Sequence, residues 1–96
     1  MAGPIYKIAM GKATEAMYRL SDEERQALWG KAVAAMEMHG GRFVLSCDSS
    51  WSSEQWPSFV VEEWPDLDAL QAYSRALGEL NWSRYWEGMT VLGTKR

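Results

Sequence analysis

The stretch P-S-F-V-V-E-E-W-P-D-L-D-A-L, residues 57–70, changes character in its middle. Its first half, Phe59 to Trp64, is a short run dominated by β-branched and aromatic residues, the composition of a strand. Pro65 closes that run, and Asp66 behind it has the chemistry of a helix N-cap. From there Leu70, Tyr73, Leu77 and Leu80 recur at helical spacing, so a second helix runs to about Leu80. Working backward, R-F-V-L-S-C-D, residues 42–48, reads as another strand. The polar turn S-S-W-S-S-E-Q, residues 49–55, brings strands two and three close enough to form a hairpin. A hairpin that feeds directly into a helix fixes the centre of the fold.

The flanks supply the rest. Residues 4–10, P-I-Y-K-I-A-M, form a first strand punctuated by Gly11. A connector then leads to S-D-E-E, where Ser21 and Glu24 have the spacing of a capping box. The acids at 22–24 suit the positive end of the helix dipole. The first helix should span about Asp22 to His39, with Leu28, Ala32, Ala35, Met36 and His39 inward, and Gly40-Gly41 should end it. G-M-T-V-L-G-T, residues 88–94, is the last strand. The order β-α-β-β-α-β is that of an α+β ferredoxin-like domain: a four-stranded antiparallel sheet with two helices on one face.

Alternation divides strand three into Phe59, Val61 and Glu63 against Val60, Glu62 and Trp64. Strand two divides into Phe43, Leu45 and Cys47 against Val44, Ser46 and Asp48. Both faces carry apolar residues, so neither is built for water, and a second copy packed sheet to sheet is expected. The alternation leaves open which set meets the helices.

Ninety-six residues suit one domain spanning 1–96. Six tryptophans are more ring surface than so small a core can hide, which assigns the surplus to a pocket or a subunit interface. The net charge of −3 and the scattered basic residues give phosphates no footprint, so nucleic acid is not an expected partner. One cysteine, Cys47, permits no intramolecular disulfide and no multi-cysteine metal site. The N-terminus lacks a leader pattern and no segment is apolar enough to span a membrane, so the expected location is the cytoplasm.

The element order, together with L-S-D-E-E-R-Q-A-L-W, F-V-V-E-E-W-P-D-L-D-A-L and L-N-W-S-R-Y-W-E-G-M-T-V-L-G-T, resembles the dimeric α+β barrel superfamily. The likeness covers nearly the whole chain and is nearest to small members without an assigned activity. It implies a homodimer and a pocket between the sheet and the helices of each protomer. Other branches of the superfamily include cofactor-free monooxygenases, polyketide cyclases, isomerases, haem-degrading enzymes and stress-response proteins. The motifs identify a fold rather than a reaction.

Candidate chemistry falls on few residues. His39, the sole histidine, ends the first helix, where it is either a general acid/base or a cap beside Gly40. Tyr73 lies on the inward stripe of the second helix, either binding a substrate oxygen or completing the core. Polyketide cyclases of the superfamily use a tyrosine and a histidine in this way, so the resemblance to the superfamily implies the two as a candidate pair, although neither falls within a diagnostic motif; Tyr6 and Tyr18 are weaker candidates of the same kind. Glu62 and Glu63 point to opposite faces, so one faces inward and needs a partner from Lys7, Arg42 or Arg84. Trp29, Trp64, Trp82, Tyr85 and Trp86 are candidate walls for a flat apolar ligand, with space left by alanines such as Ala32, Ala35 and Ala76. No metal-ligand spacing is present, and haem has only His39 to offer as an axial ligand. The reading is therefore a homodimeric enzyme acting on an apolar or aromatic ligand without a cofactor, as a cyclase, isomerase or oxygenase. The alternative is a non-catalytic binding or stress-associated dimer whose tryptophans serve the interface.

Overall fold

A computed structural model describes residues 3–96; Met1 and Ala2, part of the N-terminal stretch read above for a leader, lie outside the described residues. The elements are β1 (Ile5–Ala13), α1 (Glu15–Tyr18), α2 (Asp22–Met38), β2 (Arg42–Asp48), β3 (Ser58–Trp64), α3 (Leu67–Glu79), α4 (Trp82–Tyr85) and β4 (Trp86–Gly93). The four strands form one sheet in the order β2-β3-β1-β4, and every pairing is antiparallel. This is the ferredoxin-like α+β arrangement, with short helical turns added at α1 and α4. Among the described residues no helix is long and apolar enough to cross a membrane.

The helix starts follow local chemistry. Ser21 accepts the Glu24 amide while the Glu24 carboxylate accepts the Ser21 amide, a reciprocal cap at the head of α2. The Ser21 amide, and then the Ser21 side chain, hydrogen-bonds the Glu24 carboxyl and holds it below its ordinary range. Asp66 accepts the Ala69 amide at 2.8 Å and starts α3. Arg25, from the first turn of α2, donates to the Leu20 carbonyl at 2.8 Å, which ties α1 back to α2.

Three strands differ from the sequence reading. β1 continues through Gly11 to Ala13, because Gly11 pairs with Ser58 on one side and Gly88 on the other. A side chain at Gly11 would overlap the Trp86 indole, so the glycine makes room for a ring rather than ending a strand. The second helix ends at Leu80, as its spacing predicts. Asn81 adopts a left-handed φ of 56°, and α4 is a separate turn. Trp86 is already extended and opens β4 two residues before the expected start.

The third difference settles which face meets the helices. A bulge between Phe43 and Leu45 puts Phe43 opposite Glu62 and Leu45 opposite Val61, so the two no longer share a face. The helix-facing set is Phe43 with Val60, Glu62 and Trp64. Against it packs a core of Met36, Trp64, Leu70 and Tyr73, with Ile5, Ala35 and Leu77 around them. Trp64 is fully buried, and its ring lies where a side chain at Gly41 would go.

The opposite face is apolar across its width. One row runs Leu45, Val61, Ile8, Val91, and the next runs Cys47, Phe59, Met10, Met89. Leu45, Ile8, Val91 and Met89 are each more than two-fifths exposed. At one border of these rows Arg42 and Glu63, register partners, form an ion pair at 2.6 Å.

Candidate functional site

A cavity of about 300 Å³ lies between the sheet and the helices. Its floor is sheet: Ala9, Ser46, Ser58, Val60 and Gly88 are small, and their size leaves the space open. The helix alanines do not supply that space. Ala32 is buried and Ala35 packs against the core, and none of the helix alanines lines the cavity.

Its wall is an arc of aromatic rings drawn from four elements. Phe43 of β2 stacks on Trp29 of α2 at 6.0 Å between centroids and 21° between planes. Trp29 meets Trp82 of α4 at 6.2 Å, and Trp82 meets Trp86 of β4 at 6.2 Å. The broken path from α3 to β4 makes this possible. Had the helix continued, Trp82 and Trp86 would sit one turn apart on a rod. The left-handed Asn81 and the extended Trp86 instead fold both rings over the sheet. Thr14 anchors that segment from below, donating its amide to the Tyr85 carbonyl at 3.0 Å and its hydroxyl to the Arg84 carbonyl at 2.7 Å.

The polar end lies where the sequence alternation placed Glu62. Lys7 of β1 and Glu62 of β3 are register partners, and both line the cavity. Glu62 is 4% exposed, and its Oε1 accepts the Trp64 indole N–H at 2.9 Å. Lys7 Nζ stands 3.7 Å from that same Oε1 and 5.4 Å from the centroid of the Tyr73 ring. Both contacts fall on Oε1; Oε2 has no hydrogen-bond partner among the described residues. No side-chain oxygen among them is both sealed off and unpartnered, so Oε2 keeps some accessible surface. Tyr73 packs on Trp64 at 4.7 Å. Burial, and then the nearby Glu62 charge, push its phenol well above the ordinary tyrosine range, so it stays protonated at neutral pH.

The expected site residues are thus partly brought together. Trp29, Trp82, Trp86, Glu62 and Tyr73 share the cavity. Trp64 lies in the core outside the lining and reaches it only by donating its indole N–H to Glu62. Tyr85 faces a separate depression of about 410 Å³ between α2 and the α3–α4 segment, alongside Leu28, Lys31 and Leu80. His39 is the C-cap of α2, where its amide donates to the Ala35 and Met36 carbonyls; its side chain does not line the cavity. Tyr6 and Tyr18 are outside the lining as well, and Tyr18 is largely exposed. Phe43 and Lys7 are the members that the sequence reading did not place there. The bulge concealed Phe43, and Lys7 entered only as one possible partner among three.

No protein-family profile matches the sequence, and no curated protein matches it. Solved structures share its fold. A chlorite dismutase from Candidatus Nitrospira defluvii superposes with a TM-score of 0.75 at 13% identity, over 99% of this chain and 41% of the other. The chain therefore spans about two-fifths of the length of that enzyme. A protein of unknown function from Rhodopseudomonas palustris gives 0.61 at 15% identity, over 100% of this chain and 86% of that one. SnoaB, a cofactor-independent oxygenase from Streptomyces nogalater, gives 0.58 at 15% identity, over 99% of this chain and 95% of SnoaB. At these identities the likeness establishes the fold and leaves the reaction to the site.

Proposed function

We propose that this chain binds a flat apolar or aromatic small molecule between sheet and helices and acts on it by acid/base chemistry without a cofactor. The observation that carries this reading is the aromatic arc closing over a buried carboxylate: an apolar slot with a few convergent polar groups is the usual form of a small-molecule site. The fold shared with a cofactor-independent oxygenase of nearly the same length supports the general kind of activity. Tyr73 is suited to donate its proton as a hydrogen bond to a ligand oxygen, since its phenol is held protonated. His39 would need a ligand that extends past the cavity lining.

The residues of the lining favour the cofactor-free reading over haem. The one histidine caps α2 outside the lining, and the protonated Tyr73 phenol opposes ligation as phenolate.

The exposed rows on the other sheet face support a homodimer packed sheet to sheet, with each copy covering the other's Ile8, Leu45, Met89 and Val91. The tryptophans of the cavity lie on the helix side, away from that surface. This arrangement favours a ligand site over the alternative in which the rings serve only the interface.

The test is incubation of the protein with hydroxylated two- and three-ring aromatics in the presence of a metal chelator, followed by mass spectrometry. Turnover that survives chelation is expected, and it should fall in Tyr73→Phe. Saturable binding without conversion of any member would favour the non-catalytic reading.

A further inference from the structure

The titratable groups lining the cavity are Lys7 from β1, Glu62 from β3 and Tyr73 from α3. Their arrangement is unequal. Oε1 of Glu62 is occupied by the Trp64 indole and faces Lys7, whereas Oε2 has no hydrogen-bond partner among the described residues, on a side chain that lines the cavity. A carboxylate oxygen without a partner, on a side chain more than nine-tenths buried in the lining of an apolar slot, calls for a donor from the ligand.

We infer that the ligand carries a phenolic or enolic hydroxyl at its inner end, that Glu62 Oε2 accepts the proton of that hydroxyl, and that Lys7 holds the oxyanion left behind. The inference rests on the ligand-binding reading of the cavity and adds the chemical class of the ligand and the base. The balance is simple. The ligand O–H bond breaks, an O–H bond forms at Oε2, and the electron pair stays on the ligand oxygen. Before transfer the Lys7 ammonium is neutralised by Glu62 at 3.7 Å. After transfer the carboxyl is neutral, and the same ammonium pairs with the ligand oxyanion. The net charge in the cavity does not change, so the proton moves without leaving an unpaired charge in a buried place. Trp64 keeps the carboxyl aimed by holding Oε1 at 2.9 Å, and it is a positioning residue. Tyr73, which does not give up its proton, can donate to the same oxyanion and reinforce Lys7.

The experiment uses a nitro-substituted naphthol, whose anion absorbs in the visible, and its methyl ether, which has no proton to give. Binding of both to the full chain is followed by tryptophan fluorescence, and ionisation of the naphthol by its visible band. The naphthol should bind roughly tenfold tighter than the ether, as a charge-assisted hydrogen bond requires, and should be ionised when bound below the pH at which it ionises in water. Glu62→Gln should retain the ether, lose the tenfold preference and show no anion band; Lys7→Met should weaken the anion band. Equal binding of naphthol and ether to the unaltered protein, with no anion band, would overturn the inference while leaving the cavity as a binding site. Failure of both probes to bind would overturn the cavity reading and the inference with it. The comparison of two probes on the unaltered chain does not depend on either variant folding.

Discussion

Lys7 and Glu62 face one another across the β1–β3 ladder, and their side chains meet at 3.7 Å, with the Lys7 ammonium 5.4 Å from the Tyr73 ring centroid. Side-chain exposures of 12% and 5% make this an ion pair within the domain rather than on its surface. Removing one partner strands the other charge. Lys7→Met should therefore cost about 3 kcal/mol of stability. Combining it with Glu62→Gln should recover most of that loss. Chemical denaturation of the two single variants and the double variant checks this; strictly additive losses would mean the groups are not coupled.

Gly11 and Trp86 make a second pair. The indole occupies the position of a side chain at residue 11. Gly11→Ala should cost about 2 kcal/mol, because the ring must move out of a packed site. It should also weaken binding in the cavity, since Trp86 is part of the wall. Thermal melts and ligand titration of the one variant report both effects, and an unchanged melt would show that the ring shifts freely.

How much of this was legible beforehand depended on range. The Ser21–Glu24 box and the Asp66 cap were readable because each is complete within four residues, and the element order followed from them. The alternation along β3 correctly grouped Glu62 with Val60 and Trp64. What could not be read was set by contacts distant in sequence. Gly11 looks like a stop until the ring of Trp86, 75 residues on, is known to lie over it. The bulge at Phe43–Leu45 breaks an alternation that looks regular in R-F-V-L-S-C-D. The end of the second helix near Leu80 was legible from its spacing, but the left-handed Asn81 that sets α4 apart from it was not. For the site, the aromatic residues were visible as a surplus, but their assembly depended on that break. Lys7 was one of three possible partners for an inward glutamate, and only the β1–β3 register selects it.

Tyr73 gives the protein an alkaline weakness. Its phenol ionises less readily in the folded chain than in the unfolded chain, whose ordinary value is 10.0. The folded state therefore holds the proton more tightly. The stabilisation is complete below pH 10 and is lost as pH rises beyond it, by up to about 1.4 kcal/mol per pH unit from this group. Tyr73→Phe should flatten that fall. Denaturation midpoints measured from pH 8 to 11 on both proteins decide it; parallel curves would show that Tyr73 is not responsible.

The apolar sheet face gives a prediction about assembly. Val91 lies at the end of the row Leu45, Val61, Ile8, Val91 and is 52% exposed. Val91→Asp should leave the fold intact, because that side chain is outside the core, yet it should turn a dimer into a monomer. Analytical ultracentrifugation with circular dichroism checks both halves. A monomeric unaltered protein at every concentration would contradict the sheet-to-sheet dimer.

The most direct test of the central claim uses the six tryptophans as reporters. Their indole N–H resonances can be assigned by single Trp→Phe variants and followed by heteronuclear NMR while a two-ring naphthol is added. If the space between sheet and helices is the ligand site, Trp29, Trp82 and Trp86 should shift saturably and with one common dissociation constant. Trp64 should respond through its bond to Glu62, and Trp51, 84% exposed on the β2–β3 turn, should not move. Shifts confined to Trp51, or unsaturable shifts of all six, would contradict the account.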